Sequence, residues 1–267
     1  MKLAAVVVNR NPLLRNSMNS IRILSLVAAA LVAVGVSAAE VTVFAAASLS
    51  DSLKELSPVY TKATGDTLRF NFGASGSLAR QIQSGAPADV IVSADELRVD
   101  QLAQAGLIAT GTRRTILANL LVVVVTAEGG APVAALPDLA KADVKRIAIG
   151  EPATVPVGTY TKAHLQKLGL WAQVSGKCVP LDNVRAVLAA VEAGNADAGF
   201  VFRTDALISK KVRIAVTVPL REGPQITYPA AALRDATEPA AAAKFVAFLV
   251  GPEAQAVFAK YGFLPAP

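Results

Sequence analysis

Two serines stand where an extended segment gives way to a helical one. Ser48 closes the run Phe44-Ala45-Ala46-Ala47-Ser48, ahead of a helical pattern from Ser50. Ser75 lies in Gly73-Ala74-Ser75-Gly76-Ser77, after a second apolar segment. Two further junctions share the layout: Gly150 through Pro156-Val157-Gly158, before a helix from Thr159, and Asp182-Asn183-Val184, before another. A helix start exposes amide N–H groups that no carbonyl takes up, and it carries the positive end of the helix dipole. The chemistry such positions can do is anion binding, with serine hydroxyls as added donors. Each serine taken alone is equally well a helix cap. Two serines and four small-residue junctions together point to a shared anion site.

Catalytic chemistry finds fewer materials. The chain has one histidine, His164, and one cysteine, Cys178. His164 falls inside a helical pattern four residues after Tyr160, as a surface or packed residue. A Ser-His-Asp arrangement needs its histidine beside the nucleophile, and a His/Cys metal cage needs several such ligands. The glycine-rich 73–77 segment lacks a phosphate-loop lysine, and no GxGxxG occurs. Asp89 and Asp95 flank an apolar strand and read as surface caps or ion-pair partners. Cys178 is expected to be buried and inert, and it has no second cysteine to pair with. No enzyme is expected.

The elements that must position the serines follow from hydrophobic periodicity. Strands are expected at 41–44, 68–72, 90–92, 120–125, 147–149, 199–202, 214–218 and 230–233. Helices are expected at 50–62, 77–84, 97–105, 159–168, 184–193, 239–249 and 253–260. Strands alternating with helices imply an α/β protein with mainly parallel sheets. Ligands in such sheets sit at the carboxyl ends of the strands, where helix N-termini point. The apolar run 120–125 reads as a strand buried on both faces and as a crossing between two lobes. Tyr228-Pro229 is expected to begin the return crossing.

Composition agrees with an exported globular chain. Residues 1–38 hold Lys2, Arg10, Arg15 and Arg22, no acid, then the apolar run ILSLVAAALVAVGV at 23–36 and small residues. That order is a secretory signal peptide, and the run is shorter than the roughly 20 residues a membrane span needs. Of the 26 basic residues four lie there, so 22 face 20 acids in the remainder. The excess of positive charge is thus largely a targeting feature. Nucleic acid, which calls for a clustered basic face, is not an expected partner.

The segments FAAASL at 44–49, SLARQI at 77–82, GAPAD at 85–89, SAD at 93–95, NLLVVV at 119–124, GEP at 150–152, LQKLG at 165–169 and KYGF at 260–263 carry a resemblance. In this order they resemble the periplasmic molybdate-binding proteins of ABC transporters, over the whole mature chain. The resemblance implies a type II two-lobed periplasmic binding protein, each lobe a mixed, mainly parallel sheet flanked by helices, with two hinge crossings. Lobe 1 is expected at 40–119 plus 229–267 and lobe 2 at 120–228. It implies high-affinity binding of molybdate, and of tungstate, between the lobes, for delivery to the membrane subunits of an ABC permease. A binding protein for sulfate or another small anion is the alternative, and a periplasmic oxyanion-ester enzyme a weaker one. No cofactor is implied, and the metal is held only as its oxyanion, by a monomer.

The resemblance also assigns the oxyanion-binding residues. Ser48 and Ser75 donate through hydroxyl and amide, and Val157 and Val184 through their amides. Phe202 holds the position of the family's tyrosine, so one hydroxyl is missing; the expectation is that Thr204, Tyr160 or a water replaces it, or that the site binds more weakly. Molybdate, tungstate and sulfate are fully deprotonated near neutral pH and only accept hydrogen bonds. A site of donors without a carboxylate suits them, so Glu151 and Asp182 are expected to point away.

Overall fold

Residues 2, 4, 5 and 38–267 are described by a computed structural model. Apart from these few positions, the expected signal peptide lies outside the described residues. In chain order the elements are β1 (Glu40–Ala46), a 3-10 turn (Ala47–Leu49), α1 (Ser50–Thr64), β2 (Thr67–Gly73), α2 (Ser75–Gln83), β3 (Val90–Val92), α3 (Glu96–Gln104) and β4 (Arg114–Asn119). There follow β5 (Leu121–Thr126), β6 (Ile147–Gly150), α4 (Pro156–Lys167), α5 (Trp171–Val174), β7 (Cys178–Leu181), α6 (Val184–Glu192), β8 (Ala198–Phe202), α7 (Arg203–Leu207) and β9 (Val212–Thr217). The chain closes with β10 (Ile226–Ala232), α8 (Pro239–Leu249), α9 (Pro252–Lys260) and β11 (Leu264–Pro265).

The strands form two sheets, ordered β11-β4-β10-β3-β1-β2 and β7-β6-β8-β5-β9. Each contains three parallel strands, β2-β1-β3 and β7-β6-β8. The expectation of mainly parallel sheets holds for these βα units and stops there. β4, β10 and β11 join the first sheet antiparallel, and β5 and β9 join the second so. β5 and β10, the strands that enter a sheet after a crossing, run against its parallel trio, whereas β4 and β9 run along with it and are antiparallel to the entering strand beside them.

The first crossing is short. β4 ends at Asn119 in one sheet and β5 begins at Leu121 in the other. The return lies between β9 and β10 rather than at Tyr228-Pro229, because β10 already pairs with β4 from Ile226. Proline cannot donate to the ladder, and the register shifts between Tyr228 and Pro229.

Burial explains the layers. Leu53, Leu56 and Tyr60 of α1 and Phe245 of α8 pack in one core with β1 residues Val41, Val43 and Ala45. Leu78 and Ile82 of α2 and Val99 and Leu102 of α3 form a second core with Phe44 and Ile91. Alternate residues of β1 thus feed opposite faces, as the period of a strand requires. β5 is buried from Leu121 to Val125, as its β-branched run predicts. Among the described residues no single helix is long and apolar enough to cross a membrane; the bent pair α8–α9 passes by composition, and Phe245, Leu249, Ala254 and Phe258 of it are core residues.

Candidate functional site: a donor-lined cavity

Ser48, Ser75, Val157, Val184 and Phe202, named from the sequence, line one cavity. It lies beyond the carboxyl ends of β1 and β2 on one side and of β6, β7 and β8 on the other. Its open space is about 10 Å³, against roughly 300–1,000 Å³ for sites that hold drug-sized ligands. A compact ion suits it; a sugar or peptide does not. No charged side chain lines it, and neither Glu151 nor Asp182 reaches it.

Each of the four donor positions sits at a helix start. Ser75 and Val184 are the first residues of α2 and α6, and Val157 is the second of α4. Ser48 is the middle of the 3-10 turn that leads into α1. Two of these helices begin earlier than periodicity suggested, α2 at Ser75 and α4 at Pro156. Proline at the first helical position, with its fixed φ and missing N–H, explains the second. The amides of Ser48, Ser75, Val157 and Val184 have no protein acceptor among the described residues. The four amides are therefore available, as helix starts dictate.

The serines are more than caps. Ala94 N–H donates to Ser75 Oγ at 3.0 Å. Ser48 Oγ lies 3.1 Å from Tyr228 Oη. Neither serine caps its helix through the side chain. Asn183 does: its Oδ1 accepts from Arg185 and Ala186 N–H at 2.9 and 3.0 Å, which sets the start of α6 and leaves Val184 N–H facing the cavity wall.

The two sides touch around the cavity. Gly76 N–H donates to Thr154 O at 3.1 Å, and a side chain at Gly76 would collide with that carbonyl. Arg98 Nη2 donates to Ala153 O at 2.8 Å. Arg185 reaches across to Asp51 at 2.7 Å and to Ser48 O at 3.3 Å, and its Nε pairs with Asp205 at 2.7 Å. Asp205 is wholly buried, and burial raises its pKa to about 6 in spite of Arg185. The two sides are thus drawn together in a closed arrangement.

Phe202 is buried in the cavity wall, with its ring edge-on to Tyr228 at 6.0 Å and to Tyr160 at 6.5 Å. Neither Thr204 nor Tyr160, the expected substitutes for its absent hydroxyl, lines the cavity. Thr204 instead accepts from Asn119 Nδ2 at 2.9 Å. Sequence reasoning missed Asn119, Tyr228, Arg98 and Arg185. Nothing local marks them, because their partners lie far along the chain.

Other expectations shift in detail. Asp89 and Asp95 are buried rather than on the surface: Asp95 caps α3 and pairs with Arg98, whereas Asp89 accepts from Thr42 N–H and Thr237 N–H, both at 2.7 Å, and caps no helix. Cys178 is half-buried in an edge strand rather than fully buried, and burial still lifts its thiol to about 11. His164 is packed, and burial lowers its pKa. It borders a larger groove of about 430 Å³ with mainly apolar walls, remote from both serines.

A family model for bacterial extracellular solute-binding protein matches residues 41–264. The chain is 38% identical over 234 residues to the molybdate-binding protein ModA of Escherichia coli, covering 84% of this chain and 88% of that one. This chain belongs to the ModA family. Another relative is YvgL of Bacillus subtilis, a putative ABC transporter substrate-binding lipoprotein, 41% identical over 223 residues with 83% and 85% covered. Among solved structures, the periplasmic molybdate-binding protein of Azotobacter vinelandii superposes with a TM-score of 0.76 at 26% identity, covering 85% of this chain and all of that one. The ModA-family chain has the two-lobed fold of periplasmic binding proteins, and its relatives are substrate-binding proteins of transport systems.

Proposed function

We propose that this ModA-family protein binds molybdate, and tungstate with it, in the cavity lined by Ser48 and Ser75, and delivers it to an ABC permease. One observation carries the reading: two hydroxyls and four amides, unpaired among the described residues, converge from two sheets on a small cavity with no charge in its lining. Uncharged donors suit a dianion that only accepts. Donors from both sides make closure and binding one event, since the ion gains its full set only when the lobes meet.

The lobes are assigned as the sequence suggested, 40–119 plus 229–267 and 120–228, except that Ile226–Tyr228 go with the first lobe, because β10 pairs with β4 from Ile226 and the β9–β10 connection is the return. Residues 1–38 act as an export signal to the periplasm, and the mature protein is a monomer. It is no enzyme: Ser48 and Ser75 have no histidine partner, and His164 borders another groove. Phe202 is what favours a second reading, a site for sulfate, since the missing hydroxyl removes one donor.

Calorimetric titration with molybdate, tungstate, sulfate and phosphate tests the reading. Molybdate and tungstate should bind far more tightly than the rest. Sulfate binding of equal strength would sink the molybdate assignment.

A further inference from the structure

The hydrogen of Ser48 has its direction set from behind. Leu120 N–H donates to Asn119 Oδ1 at 2.9 Å, which fixes how the carboxamide is turned. Its Nδ2 therefore holds the two hydrogens, donated to Thr204 Oγ1 at 2.9 Å and to Tyr228 Oη at 3.2 Å. Tyr228 is fully buried. Its hydroxyl has two partners among the described residues, Asn119 Nδ2 and Ser48 Oγ. An amide nitrogen cannot accept, so the phenol hydrogen goes to Ser48 Oγ. Burial first, and the charge of Asp205 second, hold the phenol well above its ordinary pKa, so that hydrogen is present near neutral pH. Ser48 has accepted from behind, and its own hydrogen is left for the cavity. Ser75 reaches the same state through Ala94 N–H at 3.0 Å.

We propose that Asn119 and Tyr228 are positioning residues that set specificity, by locking Ser48 as a hydrogen donor and so biasing the cavity against oxyanions that keep a proton. The proposal rests on the anion-binding reading above. A fully deprotonated tetrahedral dianion accepts from every donor in the wall. Hydrogen phosphate must place one O–H against an acceptor. The cavity offers no carboxylate, and each serine oxygen accepts once from behind, which turns its hydrogen rather than a lone pair toward the cavity. Without the Tyr228 hydroxyl, Ser48 can turn over and accept.

The test is calorimetric titration of the unaltered protein and Tyr228→Phe with molybdate and with inorganic phosphate, at mildly alkaline pH where phosphate keeps one proton. Thermal melts without ligand report folding. Molybdate should bind roughly tenfold more weakly to Tyr228→Phe, the loss of one well-placed charged hydrogen bond. Phosphate should bind as well as before or better, so the ratio of the two affinities narrows. Asn119→Ala keeps the Tyr228 ring in the core and should narrow the ratio by a smaller factor, which also covers a failure of Tyr228→Phe to fold. Equal losses for both anions in both variants would mean a merely structural role and would overturn the proposal. So would unchanged molybdate binding. If the unaltered protein binds no tetrahedral oxyanion, the proposed function falls and this inference falls with it; binding with an unchanged ratio overturns the inference alone.

Discussion

On the β1–β2 side of the cavity the donors include side chains, the hydroxyls of Ser48 and Ser75, each backed by a further donor. On the β6–β7–β8 side the donors are amides, Val157 and Val184, set between apolar side chains and the ring of Phe202. The first side is specified by residue identity, the second by helix position. A hydroxyl can be deleted by one substitution. An amide survives any substitution except proline, provided the helix start stays in place. That is why valine is acceptable at the two positions proposed to hold the anion through their amides.

The largest effect should come from removing both hydroxyls. Ser48→Ala with Ser75→Ala gives up two hydrogen bonds to a charged group, each about 1.5–3 kcal/mol. Molybdate affinity should fall by roughly a hundredfold to ten-thousandfold, with the melting temperature nearly unchanged. A loss of less than tenfold, by calorimetry, would mean that the amides alone hold the ion.

The amide side is broken by a different substitution. Val184 is the first residue of α6 and follows an extended Asn183, so proline fits the helix there. Val184→Pro should weaken molybdate binding by about tenfold to a hundredfold, while Val184→Ala leaves it within a few-fold. Similar affinities for the two variants would remove Val184 from the site.

Phe202→Tyr adds a hydroxyl to the side that has none. It should tighten molybdate binding by up to roughly tenfold. No change would show that the existing donors already saturate the ion's oxygens.

The contacts between the sides should matter less. Asp51 is half-buried at the rim of this contact, and a pair still open to solvent contributes about 0.2–1 kcal/mol. Asp51→Asn should therefore lower affinity only a few-fold, with dissociation faster in stopped flow. Asp205 sharpens the same contact through pH. Its folded pKa, raised to about 6 by burial, lies above the unfolded value of about 3.9. Between these values the folded chain holds a proton that the unfolded chain has lost. Its stabilising contribution is present at low pH and is lost as pH rises through about 6. The melting temperature of the unaltered protein, measured against Asp205→Asn, should fall over that window. A flat difference would show that Asp205 stays ionised throughout.

Much of this was legible in the chain because the signals are local. The apolar run of β5, the serines after β1 and β2, and the junctions before α4 and α6 each declare themselves within a few residues. Local pattern does not mark β4 and β7 as strands. β4 is a short apolar core with charged and polar ends, and β7 carries Pro180 on a sheet edge. Periodicity places the starts of α2 and α4 too late, which hides that Ser75 and Val157 lie inside the first helical turn.

By itself the sequence determined that an α/β chain with serine-bearing helix starts would gather donors and little that could catalyse, because spacing and residue type act over one turn or one strand. Only the tertiary structure decided which way the serine hydrogens point, since Tyr228 meets Ser48 across 180 residues and Asn119 meets Tyr228 across 109. It also decided that Arg185 joins Asp51, Ser48 and Asp205. Such contacts depend on how two sheets pack against each other, and no local pattern encodes that packing.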